Sequence, residues 1–318
     1  MAMKKFINDP ATLTKELLEG MTLANSDIVE LVGGSCVVSK TLKDAKRVTI
    51  VAFGGSGHEP AISGFVGDGM LDISVVGDIF AAPNPQAVVE AVKLADKGQG
   101  VLLLVLNHAG DMLTGNMVMK QAEKENLNVK KVVTQEDISN APRSNSDDRR
   151  GLGGAIPLYH IAAAAAKEGK SLDEVAAIAQ KYADSMATIA VAARCATHPA
   201  TGASFGDLGE TDMEIGMGQH GEGGGGRQPL KTAKETIQIM ANALVKDIPL
   251  KSGDKAFVMI NGSGATTLME QYILYKDCVH YLEGLGIQVV ANMVGEILTV
   301  QEQAGFQLNI AKWDDEVL

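Results

Sequence analysis

Short apolar runs punctuate the first half of the chain. Val48–Phe53, Leu71–Val76, Val101–Leu106 and Val129–Thr134 are each about six residues long and mostly β-branched or leucine. That length and composition predict buried strands. Between them, Gln86–Asp96 and Met117–Glu125 show helical spacing, and Pro85 stands where a helix start tolerates proline. Strands alternating with helices of this length predict right-handed crossovers and a mostly parallel sheet flanked by helices. Ligands of such sheets sit outside the carboxyl ends of the strands.

The stretch from Ser139 to Gly151 is polar and turn-rich, and reads as a loop. Helices are expected from about Pro157 to Glu168, with five consecutive alanines suited to close packing, and from about Leu172 to Thr188. Beyond them the pattern predicts a strand over Ile189–Ala193, a helix over Lys231–Leu244, and strands over Lys255–Ile260 and Gly305–Trp313. The fold class is therefore α/β, with two α/β domains. The division falls near residue 185, giving 1–185 and 186–318, and the C-terminal strand is free to rejoin either domain. No internal repeat is visible, and Gly223–Gly226 is the one low-complexity tract.

Composition narrows the function classes. At 318 residues, 46% hydrophobic and 21% charged, the chain is an ordinary globular protein. A formal net charge of −11 argues against nucleic acid or an anionic membrane as a direct partner. Cys36, Cys195 and Cys278 are widely spaced, which suits a reducing, cytoplasmic setting and small apolar roles. No apolar run reaches the ~18 residues of a membrane span. No His, Cys or acidic cluster has metal-ligand spacing, so no metal site is expected. His160, His198 and His280 read as packing or turn residues.

Two glycine-rich loops carry the candidate chemistry. Phe53-Gly-Gly-Ser-Gly-His58-Glu-Pro60 follows a strand, and Met213-Glu-Ile-Gly-Met-Gly-Gln-His220-Gly-Glu-Gly lies far downstream. Glycines let a backbone approach a ligand closely and offer N–H donors. Together with Asn107-His-Ala-Gly-Asp111, Arg149-Arg-Gly and the tail from Asn292 to Glu316, these motifs resemble the substrate-binding subunit of dihydroxyacetone kinase, the DhaK family. The resemblance runs through nearly the whole chain in the family's order. It implies two α/β domains with the ketose site between them, and a homodimer.

The resemblance also implies roles. His220 would add to the ketone carbon and hold a small ketose as a hemiaminal, a bond no polyol can form. Asp111 would take the proton of the hydroxyl that is phosphorylated, although its position also suits a helix N-cap. His58 would assist by hydrogen bonding or proton transfer, and Gly54, Gly55 and Ser56 would line the pocket. Glu59 would orient neighbouring groups. Some positions depart from the family pattern: its lysine is replaced by Leu106, its tyrosine and threonine by His108 and Ala109, and its Thr-Ser pair by Ala81-Ala82. His108 either replaces a lost donor or faces away.

No nucleotide-binding motif of the P-loop or protein-kinase type occurs in the sequence. The resemblance implies that ADP and magnesium reside on a DhaL-type partner, rephosphorylated by a phosphotransferase-system protein of the DhaM kind, with no cofactor in this chain. The expected function is thus the ketose-binding subunit of a phosphotransferase-dependent dihydroxyacetone (glycerone) kinase. Loss of the lysine leaves two alternatives open: a non-catalytic, DhaQ-like coactivator of a transcription regulator, or a kinase subunit for a larger ketose such as erythrulose.

Overall fold

The computed structural model describes residues 5–224 and 226–314. Gly225 of the glycine run and residues 315 and 316 of the tail motif lie outside them. The chain forms two compact units, one of residues 1–134, 155–181 and 199–201, the other of 135–154, 182–198 and 202–318.

The first unit opens with α1 (Leu13–Ala24) and a hairpin of β1 (Val29–Val32) and β2 (Cys36–Ser39). Its turn passes through Gly33 and Gly34, both at positive φ, which glycine adopts at little cost. There follow β3 (Thr49–Ser56), β4 (Ile73–Ile79), α2 (Pro85–Ala95), β5 (Val101–Leu106), α3 (Ala109–Lys124) and β6 (Val129–Thr134). The sheet order is β1-β2-β4-β3-β5-β6, with β4, β3, β5 and β6 mutually parallel. One face of this sheet, with Val51, Phe53, Val75, Leu103 and Val105, packs on apolar residues of α2 and α3. On the other face α4 (Ala155–Lys167) packs against β3. Burial on both faces explains why β5 reads as an uninterrupted apolar run.

Several boundaries differ from the sequence expectation; the helix expected to reach Thr188, for example, stops at Ser185 and a strand begins at Met186. Strand β3 runs on through Gly54 and Gly55, which pair with β4 as strand residues. A Cβ at Gly55 would lie 2.6 Å from the Ala81 backbone nitrogen, so the glycines serve a close approach, not a turn. Helix α3 begins at Ala109, eight residues before the periodic stretch. Its first turns hold Gly110, Thr114 and Gly115, weak helix formers that tertiary packing overrides.

Helix α5 (Leu172–Ser185) leads to the second unit, built from β7 (Met186–Arg194), β8 (Asp212–Ile215), β9 (Gly226–Pro229), α6 (Ala233–Asp247), β10 (Lys255–Gly262), α7 (Leu268–Gly284), β11 (Gln288–Glu296) and β12 (Ala304–Lys312). The sheet order is β11-β10-β12-β7-β8-β9. The C-terminal strand β12 therefore stays in the second unit, antiparallel to both β10 and β7. Helices α6 and α7 both start with capping boxes, Thr232 with Glu235 and Thr267 with Glu270. They cover a face made of Ile189, Val191, Val258, Ile260, Leu308 and Ile310.

The reverse face of that sheet is polar. Asn309 donates to Thr188 (2.8 Å), and Gln307 accepts the Gly153 amide (2.9 Å). Asn261 accepts the amides of Ile297 and Leu298 (2.9 and 3.0 Å). Gly153 lies so close that a Cβ would come within 2.8 Å of the Gln307 amide oxygen. The amide oxygens of Gln307 and Asn261 are thus satisfied by loop backbone, while that of Asn309 is buried with no hydrogen-bond partner among the described residues.

Candidate active site

In the first unit, the parallel strands β4, β3 and β5 end on one edge of the sheet. The chain leaves β3 toward one side and later crosses to β5 on the other, which makes this a topological switch point. Three loops meet there. His58, 6% exposed, follows β3, its ring 4.8 Å from that of Phe80 after β4. Gly57 is at φ +98°, and a Cβ there would lie 2.9 Å from the Phe80 ring, a place closed to larger residues. Both Glu59 carboxylate oxygens accept the Gly57 N–H (3.0 and 3.1 Å), which fixes the loop. Burial raises the Glu59 carboxyl above the usual range despite that bond. Ser56 is buried, its hydroxyl 2.8 Å from that of Thr14.

The loop after β5 places His108 at the N-cap of α3 and Asp111 in its first turn. The capping position considered for Asp111 is thus taken by His108, which makes no side-chain cap bond. Asp111 instead sits where the helix dipole favours a carboxylate. Leu106, just before this loop, is 4% exposed. Ala82 closes on the same helix start: a Cβ at Gly110 would lie 3.3 Å from its methyl group.

In the second unit, His220 stands in the long loop between β8 and β9. Its Nδ1 lies 3.1 Å from Glu222 Oε1, and its backbone N–H donates to Glu222 Oε2 (2.9 Å). Burial pushes the Glu222 carboxyl up, but the hydrogen bonds and charge of His220 outweigh it and bring the group down to about 2. Near neutral pH Glu222 is therefore an anion and only accepts hydrogen bonds. Its partner Nδ1 must carry the proton, which leaves Nε2 with a lone pair in the neutral imidazole.

Arg150 braces this loop from beneath. It is 7% exposed; Nε donates to Asp137 (2.8 Å) and Nη2 to both Ser139 and the Gly216 carbonyl (2.9 Å each), while Nη1 lies 3.8 Å from Glu222. A Cβ at Gly218 would come 2.2 Å from both the Arg150 guanidinium and the Glu222 carboxylate. The glycine is what lets the three meet. Glu222 and Arg150 were not among the residues singled out from sequence. A glutamate two places after the histidine was the available signal for the first, and the Arg149-Arg-Gly motif for the second.

Other sequence expectations fare unevenly. His160 and His280 are exposed on α4 and α7 instead of packed, and His160 Nδ1 meets the Gly69 carbonyl at 3.1 Å. His198 fits a turn, its ring edge-on to Phe205. Cys36 and Cys278 are buried and Cys195 half-buried. Among the described residues no helix is long and apolar enough to cross a membrane.

Two six-stranded sheets with flanking helices make the chain a protein of the mixed α/β class. Residues 19–318 match the Dak1 domain model, and the chain belongs to that family. It is 37% identical over 314 residues to the dihydroxyacetone-binding subunit DhaK of the PTS-dependent dihydroxyacetone kinase 1 of Listeria innocua serovar 6a, covering 99% of this chain and 95% of that one. The corresponding DhaK subunit of Lactococcus lactis subsp. lactis is 35% identical over 316 residues, with the same coverage. Among solved structures, the dihydroxyacetone kinase operon co-activator DhaQ superposes with a TM-score of 0.89 at 30% identity, covering 95% of this chain and 93% of its own. The dihydroxyacetone kinase of C. freundii also gives 0.89, at 27% identity, with this chain spanning 58% of its length.

Proposed function

We propose that this protein is the ketose-binding subunit of a phosphotransferase-system-dependent dihydroxyacetone kinase, holding its substrate as a hemiaminal on His220. The observation that carries this reading is the His220–Glu222 pair. A neutral imidazole protonated at Nδ1 presents the Nε2 lone pair a carbonyl carbon needs. As the N–C bond forms, the carbonyl π electrons move to oxygen. The oxygen gains a proton, for which His58 is the donor implied by the family resemblance, and the Nδ1 proton passes by way of Glu222 to water, leaving Glu222 ionised. The product is a neutral N-substituted imidazole bearing an alcohol, with atoms and charge balanced.

Phosphorylation then needs a base for a primary hydroxyl of the held ketose. Asp111 fills that role, and the phosphoryl group comes from nucleotide and magnesium on a DhaL-type partner. The full-length similarity to DhaK subunits that act in such systems supports this division of labour. Homodimeric assembly belongs to the same reading.

A second reading rests on one observation: Leu106 is a packed leucine where the family has a lysine. A protein that senses dihydroxyacetone without turning it over, as a DhaQ-like co-activator would, needs His220 but no such cation. Retention of Asp111 favours the kinase. The small side chains Ala81, Ala82 and Ala109 are the sequence feature behind the alternative of a larger ketose such as erythrulose. The deciding experiment is phosphoryl transfer to dihydroxyacetone and to erythrulose by the purified chain with a DhaL-type partner, nucleotide and phosphodonor. Turnover abolished by His220→Ala establishes the kinase subunit and names its sugar. Absent turnover with His220-dependent ketose binding refutes it in favour of the sensor.

A further inference from the structure

Phe80, just after β4, has a left-handed backbone at φ +57°. Asparagine tolerates that region, but a bulky side chain there is an outlier. Besides Phe80, the described residues other than glycine with positive φ are Asn126 and Gln301. A strained backbone persists only where its surroundings over-determine it, and such strain gathers at functional sites. The end of β3 is built to hold Phe80 in this way. The Phe80 N–H donates to the Ser56 carbonyl (2.9 Å). A Cβ at Gly55 would lie 3.0 Å from the Phe80 α-carbon, and one at Gly57 2.9 Å from its ring. Gly55 thus makes room for the backbone of Phe80, and Gly57 for its side chain. The ring comes to lie 4.8 Å from that of His58, with the two planes inclined by 57°. This is a tilted aromatic contact of ordinary spacing. Glu59 orders the Gly57 backbone just before His58, whereas Phe80 acts on the imidazole itself.

We infer that Phe80 is a positioning residue for His58, its strained backbone bringing an aromatic ring against the imidazole and fixing the plane from which His58 gives its proton. The inference rests on the ketose reading, in which that proton goes to the carbonyl oxygen. The bond from His220 Nε2 to the carbonyl carbon forms, the carbonyl π pair moves to oxygen, and the oxygen takes the proton from His58. Breakdown of the hemiaminal runs the same step backwards and returns the proton. A donor held in place lowers the one barrier shared by both directions. It therefore speeds capture and release alike and leaves their ratio unchanged. A side chain that only shapes the fold, or that touches the bound ketose, changes the ratio instead.

The test is carbon-13 exchange spectroscopy of the full chain with carbonyl-labelled dihydroxyacetone, which reads hemiaminal formation and breakdown separately. Wild type is compared with Phe80→Leu, which keeps apolar bulk without the flat ring, and with Phe80→Tyr, which keeps the ring. The expected result for Phe80→Leu is that both rates fall about tenfold, part of the gain a placed acid supplies, with an equilibrium constant within about threefold of wild type. Phe80→Tyr should restore both rates. Should Phe80→Leu fail to fold, Phe80→Gly takes its place, because glycine adopts the left-handed backbone at little cost and removes the ring. Wild-type rates without the ring, a loss of affinity in proportion to the forward rate, or no recovery with tyrosine overturns the inference while the hemiaminal stands. A wild type that forms no hemiaminal overturns the ketose reading, and this inference with it.

Discussion

Glu222 Oε1 accepts from His220 Nδ1 at 3.1 Å, while its other oxygen holds the His220 backbone amide at 2.9 Å. The carboxylate thus fixes both the ring and the backbone of one residue, and with them the tautomer. Glu222→Gln keeps the shape but removes the obligate acceptor, so the ring is no longer confined to the Nδ1–H form. The expected outcome is a ten- to hundredfold loss of dihydroxyacetone affinity, the range seen when a group orienting a functional histidine is altered. Carbon-13 NMR of carbonyl-labelled substrate reads it directly as a weaker hemiaminal resonance. An unchanged resonance at equal ketose concentration would remove Glu222 from the mechanism.

Among the described residues Arg150 is the cation paired with Asp137, which is 1% exposed. Arg150→Met preserves volume and leaves Asp137 charged, buried and without that partner. Such a loss costs about 3–5 kcal/mol. It also removes the bond to Gly216 that anchors the His220 loop. Urea unfolding followed in the second unit should show a clear drop in midpoint, and ketose binding should fall with it. Unfolding at the wild-type midpoint contradicts the bracing role.

Strands β5 and β6 match the sequence expectation residue for residue: β5 is an unbroken apolar run between Gly100 and Asn107, and β6 is a valine-rich run between Asn128 and Gln135. Helix α7 carried no such signal. Its first half is apolar on both the packed and the exposed side, so the 3.6-residue pattern that marks a surface helix is lost. Strands β8 and β9 are four residues long and include Asp212, Glu214, Arg227 and Pro229, residues depleted in or neutral to strands. At the site, the histidines and Asp111 were visible because glycine loops and strand ends flag them. The Arg149-Arg-Gly motif flagged the segment of Arg150, but not its role, since the bond to Gly216 spans 66 residues of sequence.

Gly77 separates turnover from capture. A Cβ there would come 2.1 Å from the Ala81 carbonyl oxygen and 2.7 Å from the Pro83 nitrogen, both backbone atoms that cannot rotate away. Gly77→Ala therefore displaces the Ala81–Pro83 loop, which touches the first turn of α3 beside Asp111. In the kinase reading Asp111 acts in phosphoryl transfer and His220 in carbonyl capture. The expected signature is a kcat at least tenfold lower with the hemiaminal largely retained. Equal losses of both would mean that the loop serves substrate binding instead.

Glu136 sets a pH dependence that a single substitution isolates. It is 1% exposed; Oε1 accepts the amides of Leu152 and Gly154 (2.9 and 3.0 Å), and Oε2 is buried with no hydrogen-bond partner among the described residues. Burial raises its carboxyl to about 7, and the charge of Asp137 adds to the rise against the two amide bonds. A folded-state value above the ordinary 4.5 means that the folded protein binds the proton more tightly than the unfolded chain. The stability from neutral Glu136 is complete below about 4.5 and is lost as pH climbs through about 7. A rise of that size corresponds to about 3 kcal/mol. Glu136→Gln keeps the acceptor for both amides and cannot ionise. Its stability relative to wild type should therefore increase between pH 5 and pH 8, a window in which the contribution of Glu222, lost only as pH falls from about 4.5 through about 2, stays constant. Urea denaturation of the two proteins at both pH values measures the difference, and a gap that stays constant shows that Glu136 is already ionised at pH 5.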